Sequence, residues 1–277
     1  MRRARTCVAL AVAATLASGT RLAAAEHRFA GAFGGSGNPL GLQLRLGAEW
    51  RWGLTDSHSP LVRDAHVALG VTNALSPSYD RLEAHLELSP LSILDLRARA
   101  DYVVFFGAFG NLASFPSYDA DFGDDARDER RDEARAADGF RLQLAPTLKG
   151  HFGRVSIRLR AELERWQIDG VEPYFYEPSR GTLLRAGGDS LVAGSAVLLV
   201  DLGGRRFQAG LQYDLVDVLD APQNRIQRLG PLLRAHLGER RLGLRQPILV
   251  AGVFHYLEAP NRDGLAILVA VTFGPTW

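Results

Sequence analysis

The chain has 277 residues, of which 32 are Lys or Arg and 31 are Asp or Glu, so its formal net charge at pH 7 is +1. This balance argues against a surface built to bind nucleic acid, because such a surface needs an excess of basic residues. The single cysteine, Cys7, lies inside the predicted signal peptide, which excludes disulfides and thiol chemistry from the mature chain.

The first 25 residues are predicted to be a secretory signal peptide. Three arginines within the first five residues form its positive region, an apolar stretch follows at 7–17, and Ala23-Ala24-Ala25 supply the small residues of a cleavage site. The apolar stretch is too short for a membrane helix, and no run of about 18 apolar residues occurs later. We therefore expect removal of residues 1–25 and a single domain over residues 26–277.

Beyond the signal peptide, apolar and polar side chains alternate. In the run from Leu40 to Trp52, leucine, alanine and tryptophan occupy the even positions, and Arg45, Glu49 and Arg51 lie between them. Successive side chains of a β-strand point to opposite faces, so this pattern predicts strands with one apolar and one charged face. The runs are about 10–14 residues long, against about five or six for most strands. Such strands are typical of a β-barrel that spans a lipid bilayer.

The alternation, together with the turn residues that interrupt it, predicts about twelve strands. An even number is typical of single-chain bacterial barrels. The sequence thus predicts an all-β fold, a transmembrane antiparallel up-and-down β-barrel. The predicted strands lie near 27–34, 40–52, 64–73, 79–88, 93–106, 140–149, 154–166, 190–202, 206–216, 228–237, 247–257 and 265–274.

The connections between these strands differ in length in a regular way. With both termini in the periplasm, three tight connections fall on the periplasmic side and the two longest fall outside, as in membrane barrels. Two others fit less well, since one is long for a periplasmic turn and one is short for an outer loop. The tight connections are 89–92, 150–153 and 203–205, the long ones are near 107–139 and 167–189, and the poor fits are 53–63 and 35–39.

The first long loop is charged in its second half. Between Asp124 and Ala137, acids and arginines recur three and four residues apart, as Asp124 and Arg127 do. This spacing favours a solvated helix stabilised by ion pairs, with Gly139 at its end. The segment is then a recognition or lid element; the alternative is a plain soluble or disordered loop.

Aromatic residues occur in the second long loop and near the strand ends. Tyr174-Phe175-Tyr176 either fold into the barrel mouth, insert at the outer lipid boundary or contact a partner. Aromatic girdles at both interfaces are typical of membrane barrels. The predicted girdle residues are Trp50, Trp52, Tyr102, Phe106, Phe207, Tyr213, Phe254 and Tyr256.

The last strand keeps its apolar parity from Leu265 to Phe273, and the same parity continues through Pro275 to Trp277. An apolar series that closes on a C-terminal aromatic resembles the assembly signal of bacterial outer-membrane proteins. The resemblance implies a porin-like barrel in the cell outer membrane of a Gram-negative bacterium. It also implies outer-membrane lipids and the barrel-assembly machinery as partners, without pointing to a particular family.

Alternation alone does not decide which face points inward, because a secreted lipocalin-like barrel has its apolar face inside. A barrel of about twelve strands has a wide lumen that leucine and valine alone would fill poorly, which favours the charged face inside. Charges in a narrow lumen must pair or stay hydrated, so the lumen is either a water-filled passage or a salt-bridged network. The predicted pore-lining residues are Arg45, Glu49, Glu83, His85, Glu87, Asp95, Arg97, Arg99, Asp101, Arg158, Arg160, Glu162, Glu164, Arg206, Asp214, Arg234 and His236.

Three strands carry small or apolar residues on the predicted inward parity as well, so one sector of the wall is expected to be apolar. Packing against an inward-folded segment of the chain explains this sector, and a path for an amphipathic solute is the alternative. The residues concerned are Ala193, Ser195, Val197, Leu249, Ala251, Val253, Ala266, Leu268 and Ala270.

No catalytic, metal or cofactor motif stands out in the sequence. The histidines are scattered, and none lies beside a serine in the spacing of a barrel phospholipase. His85 lies between Glu83 and Glu87 on one strand face, which predicts a buried polar ladder, with an acid–base cluster or a metal site as alternatives.

Three functions are consistent with these features. The favoured one is passive passage of small solutes through a porin-like channel. A rim enzyme that acts on lipid or lipopolysaccharide requires a histidine to converge with a serine or an acid in the fold. A structural or adhesive barrel with a blocked lumen would use its loops as working surfaces.

Overall fold

The structure of the protein is a computed structural model that describes residues 25–107, 114–203, 206–241 and 244–274. Nearly all of the predicted signal peptide, and Pro275 and Trp277 of the predicted assembly signal, lie outside the described residues. Within the described part of the chain, no helix is long and apolar enough to cross a membrane.

Twelve strands form one closed antiparallel barrel, and short strands lie in the connections. The barrel strands are β1 (Glu26–Gly37), β2 (Gly41–Gly53), β3 (His66–Leu75), β4 (Tyr79–Leu91), β5 (Leu94–Phe105), β7 (Ala137–Phe152), β8 (Val155–Asp169), β11 (Asp189–Leu202), β12 (Phe207–Val218), β13 (Ala221–His236), β16 (Ile248–Glu258) and β17 (Leu265–Phe273). The short strands are β6 (Ser114–Phe115), β9 (Tyr174–Glu177), β10 (Thr182–Arg185), β14 (Arg240–Arg241) and β15 (Leu244–Arg245). The barrel closes where β1 pairs with β17, and each predicted run falls on one barrel strand, so the predicted fold class is confirmed.

The largest boundary difference is at β13, which begins at Ala221 rather than near residue 228. Pro222, Gln223 and Asn224 interrupt the alternation there, so the sequence carries no strand signal. Pairing with β12 extends the strand across a bulge, with Val218 opposite Ala221. Pairing with β12 thus forms strand in a segment where the local sequence pattern predicts none.

Every barrel strand exposes apolar side chains on its outer face, and most charged side chains of β2, β4, β5, β7 and β8 point inward. On β4, Leu82 and Leu86 are exposed on the outside, whereas Glu83 and His85 are 2% exposed. This is the reverse of a soluble protein and of a lipocalin-like barrel. One exposed apolar residue from each strand in turn is Phe33, Leu44, Leu69, Leu86, Leu96, Leu144, Leu159, Leu198, Leu211, Leu233, Val253 and Ile267.

The two ends of the barrel differ. We name the end that holds the start of β1 and the end of β17 the terminal end, and the opposite end the loop end. The two long connections, 106–136 and 170–188, both lie at the loop end because each follows a strand that runs in the direction of β1. The tight connection between β7 and β8 lies at the terminal end.

The charged part of the first long loop forms less helix than its spacing predicts. One short helix, α1 (Asp124–Glu129), is followed by a single 3-10 turn at Arg131–Glu133. Gly139 does not end the helix but lies inside β7. A Cβ at this position would collide with the carbonyl oxygen of Gln167, so the glycine permits close approach of β8.

The inward face of β16 is the reverse of the prediction. Phe254 and Tyr256 are buried inside the barrel rather than exposed in a girdle, and Leu249 and Val253 point outward. Both faces of β16 are apolar, so alternation does not show which of its residues point inward. The pairing of Ile248 with Thr272 of β17 sets their orientation instead.

Candidate functional site

Charged residues of β2, β4, β5 and β7 form an ion-pair network inside the barrel. The buried carboxylate of Glu83 is 2.6 Å from Arg45 and 3.3 Å from Arg99. Asp101, directly opposite Glu83 on β5, pairs with Arg141. Placing arginines around two neighbouring carboxylates offsets the cost of burying them.

His85 is part of this network. Its Nε2 atom is 3.3 Å from Glu49 and its Nδ1 atom is 3.5 Å from Glu83. Both ring nitrogens therefore face carboxylates. This geometry supports the polar ladder, although Glu87 pairs with Arg97 and His66 instead of His85. No group of His, Cys, Asp and Glu in the described ranges is arranged to hold a metal ion.

A hairpin from the second long loop fills the loop-end half of the lumen. Strands β9 and β10 pair from Glu177 opposite Thr182 to Tyr174 opposite Arg185, and we name residues 174–185 the plug hairpin. Phe175 and Leu184 pack with Phe105 and Trp166 of the barrel wall, and all four are fully buried. The plug hairpin is therefore part of the hydrophobic core.

The tip of the plug hairpin is also tied to the wall by charge. Arg180 pairs with both Glu162 and Glu164 of β8. Glu164 is fully buried and accepts a further hydrogen bond, at 2.8 Å, from the indole of Trp166. The charged tip and the apolar strands together fix the hairpin in the barrel.

The first long loop covers the plug hairpin from above. Strand β6 pairs with β9, and Phe115 and Phe122 form a second buried cluster with Tyr176 and Leu183. The guanidinium of Arg127 lies 4.3 Å from the ring centre of Tyr176. Of the three positions open to Tyr174-Phe175-Tyr176, the barrel mouth is the one they occupy.

Burial alters the ionisation of groups at the mouth. Burial and a 2.7 Å hydrogen bond to Asp189 raise the pKa of Tyr118 to about 12. Burial also raises the pKa of Glu177, against the opposing effects of Arg81 and of the Ser179 hydroxyl. For Arg180, burial lowers the pKa, but Glu164 and Glu162 outweigh it and raise the pKa above its usual value.

Most of the predicted pore-lining residues lie on the inner wall at different depths of burial. Arg206 does not lie in a strand: it precedes β12, and its guanidinium lies 5.4 Å from the ring centre of Phe207. Residues buried in the network are Glu49, Glu83, His85, Glu87, Arg97, Arg99, Asp101 and Glu164. Half-buried residues are Arg45, Asp95, Arg160, Glu162, Asp214, Arg234 and His236, and exposed ones are Arg158 and Arg206.

Sequence reasoning missed four residues of the site. Arg81 and Arg141 lie on the inward parity of predicted strands, so the alternation already pointed to them. Arg180 and Trp166 had no such signal, since one lies in a loop and the other at a strand end, where aromatics suggest a girdle. Their role depends on long-range contacts that no local pattern encodes.

The half of the lumen nearest the terminal end contains arginines that form no ion pair with another described residue. Arg158 of β8 is exposed inside the barrel, and its electrostatic neighbours are Arg160 and Arg234 together with the carboxylates of Asp214 and Glu162. Arg160 pairs with Glu162, but no ion pair forms at Arg158 or Arg234 in the described part of the chain. Burying a charge without a partner is costly, so we expect water to reach these two arginines.

One histidine and one serine do converge, at the terminal end. The Nε2 atom of His66 is 3.4 Å from the Ser89 hydroxyl and 3.1 Å from Glu87. Its Nδ1 atom donates to the backbone carbonyl of Asp64, while Ser89 donates its own proton to Asp95 at 2.5 Å. With Glu87 beside Nε2 and the serine proton directed to Asp95, the group lacks the base geometry of a nucleophilic serine.

No known family model matches the sequence, and no characterised protein matches it in sequence. Among solved structures, CdiB from Acinetobacter baumannii has 9% identity and a TM-score of 0.42 over 90% of this chain and 60% of its own. The NanC porin has 9% identity and a TM-score of 0.42, and the match covers 88% of this chain and 98% of the porin. The translocator domain of the autotransporter NalP from Neisseria meningitidis has 10% identity and a TM-score of 0.39, and the match covers 99% of this chain and 95% of that domain. These values concern barrel architecture and carry no argument about function.

Proposed function

We propose that the chain is a porin-like β-barrel of the bacterial outer membrane that passes small solutes, anions in preference to cations. The observation that carries the proposal is the pair of lumen arginines Arg158 and Arg234, which form no ion pair among the described residues. Arginine side chains in a pore favour anions because they stabilise negative charge that has lost part of its hydration.

The outward belt of apolar side chains supports a membrane location. Each barrel strand exposes large apolar residues, and the strands are 9 to 16 residues long. A membrane-spanning β-strand needs about 9–11 residues. In this proposal the belt contacts outer-membrane lipids, and the barrel-assembly machinery inserts the exported chain.

The plug hairpin is the constriction of the proposed channel. Its apolar core and the Arg180 ion pairs leave little free space at the loop end. A solute that crosses therefore moves the hairpin or passes beside it. The same packing favours a second candidate function, a barrel blocked permanently whose loops act as the working surface.

Ion selectivity tests the proposed channel. The refolded barrel in a planar lipid bilayer under a salt gradient should show a reversal potential of the sign expected for anions. Combined Arg158→Gln and Arg234→Gln substitutions should shift that potential towards zero, because they remove two lumen charges that form no ion pair among the described residues. The control Arg63→Gln, an exposed arginine in the connection 54–65, should leave it unchanged.

Two results oppose the channel. A cation-selective wild type would contradict the proposed role of the arginines. Absence of conductance in both the wild type and a variant without the plug hairpin would contradict the channel as such. Conductance in the hairpin-less variant alone would favour the blocked barrel.

A further inference from the structure

The terminal end of the barrel holds a polar cleft of about 260 Å³. It opens between β1, β2, β3, β4, β5 and β7, and we name it the terminal cleft. Arg28 comes from β1, Arg51 from β2, Ser92 from the turn after β4 and Lys149 from β7. Residues far apart in sequence thus present their polar groups to one space.

The carboxylates around the terminal cleft already have partners. Glu87 accepts a hydrogen bond from Arg97 at 2.6 Å, and Asp95 accepts one from Lys149 at 2.6 Å. Asp64 lies at the surface, 3.4 Å from the guanidinium of Arg63. Their negative charge is therefore balanced by groups of the protein.

Several donors of the terminal cleft, in contrast, lack an acceptor of matching strength. Arg51 makes one hydrogen bond, to the backbone carbonyl of Asp64 at 3.2 Å, and no ion pair forms at it in the described ranges. The buried Ser92 hydroxyl has no hydrogen-bond partner among the described residues, and neither has the buried Nε atom of Arg28, whose Nη2 atom donates to Glu26 at 2.8 Å. Native proteins rarely leave buried donors unsatisfied, and a ligand or an ordered water completes such sites.

Of the four cationic side chains that line the terminal cleft, only Arg51 forms no ion pair among the described residues, since Arg28 pairs with Glu26, Arg97 with Glu87 and Lys149 with Asp95. A guanidinium with a serine hydroxyl and an ammonium group matches a tetrahedral oxyanion, which accepts several charge-assisted hydrogen bonds at once.

We propose that the terminal cleft binds a phosphate group, held by Arg51 and Arg28 with the Ser92 hydroxyl and Lys149. The phosphate belongs either to a soluble phosphorylated solute or to a lipid headgroup at this end of the barrel. The site goes beyond the proposed channel, because its binding does not require an open lumen.

Calorimetric titration of the full refolded barrel with inorganic phosphate at constant ionic strength tests the site. The wild type should bind saturably with about one phosphate per chain. Arg51→Gln should weaken binding by about tenfold or more, since a charge-assisted hydrogen bond is lost. Ser92→Ala should weaken it by about threefold and preserves all charges. Arg131→Gln, which removes an exposed arginine at the loop end, should bind as the wild type does.

Two results would overturn the proposed phosphate site. If the wild type shows no saturable binding, or if Arg51→Gln and Ser92→Ala both bind phosphate as the wild type does, the proposal fails. Retained heat-modifiable migration in gel electrophoresis shows that each variant has folded, so lost binding is not read from unfolded protein.

A second titration separates the two sources of the phosphate. Glycerol 3-phosphate and a short-chain phosphatidic acid below its micelle concentration carry the same group. Equal affinity, lost equally in Arg51→Gln, assigns a soluble solute, and a clear preference for the phosphatidic acid assigns a lipid headgroup. Conductance measured on the same variants reports on the channel alone, so failure of the site and failure of the channel are distinguishable.

Discussion

Arg180 is the residue that joins the plug hairpin to the barrel wall. It pairs with Glu162 and with the fully buried Glu164, so its loss would leave two carboxylates with less compensation. Removing one partner of a buried ion pair is destabilising because the other charge stays buried without it. The plug hairpin therefore depends on one side chain as well as on its apolar core.

Arg180→Gln should lower the free energy of unfolding by about 2–3 kcal/mol. This is less than the cost of breaking a fully buried ion pair, because the side chain of Arg180 is 20% exposed. Urea unfolding of the barrel in detergent, followed by tryptophan fluorescence, measures this change. Arg185→Gln is the matched control, since Arg185 pairs with Asp220 at the surface, and it should cost less than about 1 kcal/mol. Equal effects of the two substitutions would contradict the anchoring role of Arg180.

The buried Glu177 predicts a pH dependence. Burial raises its pKa above the ordinary value of 4.5 in the folded barrel. A carboxyl with a raised folded pKa binds its proton more tightly when folded, so stability falls as pH rises from 4.5 through the raised pKa.

Glu177→Gln should remove this decrease and raise stability at neutral pH, while the amide oxygen can still accept from Ser179. Unfolding midpoints measured from pH 4 to pH 8 test the effect. Glu172→Gln, an exposed change in the same loop, should keep the wild-type profile. An unchanged profile in Glu177→Gln would refute the role of Glu177.

At the scale of the strand, alternation determined what the sequence predicted well. In β4 and β5 one face is charged and the other apolar, so both the strands and their inward faces are read directly. In β16 both faces are apolar, so the pattern does not show which residues face inward. The predicted inward residues are wrong because pairing with β17 sets the orientation.

The plug hairpin shows the other limit of prediction from sequence. The sequence predicts only an aromatic loop with three alternative positions. Its place in the barrel mouth depends on contacts of Phe175 and Arg180 with wall strands, and a local pattern carries no information on such contacts.

The two faces of β8 should tolerate change differently. Leu159 is 48% exposed on the outer face, and its neighbour Arg158 points into the lumen. Leu159→Arg should destabilise the barrel in lipid by about 2–4 kcal/mol if it lies at the bilayer midplane. Arg158→Gln, at the same depth, should cost less than about 1 kcal/mol. Folding titrations in lipid vesicles compare the two, and equal costs would mean that neither face contacts lipid.

At the scale of the whole molecule, the long connections and α1 share the loop end, and the short β7–β8 turn lies at the terminal end. With the termini in the periplasm, a cysteine in place of the exposed Asp128 should react with an impermeant maleimide on intact cells. A cysteine in place of the exposed His151 should react only after the outer membrane is opened. The reverse labelling would place the loop end in the periplasm.

The central claim is that the barrel is a channel constricted by its plug hairpin. Single-channel conductance in planar bilayers, measured for the wild type and for a variant whose residues 174–185 are replaced by a short glycine-serine linker, tests this claim most directly. We expect a small conductance in the wild type and a conductance several times larger in the variant. The linker leaves the wall of charged side chains in place and opens the half of the lumen at the loop end. Equal conductance in both proteins, or none in either, would contradict the claim.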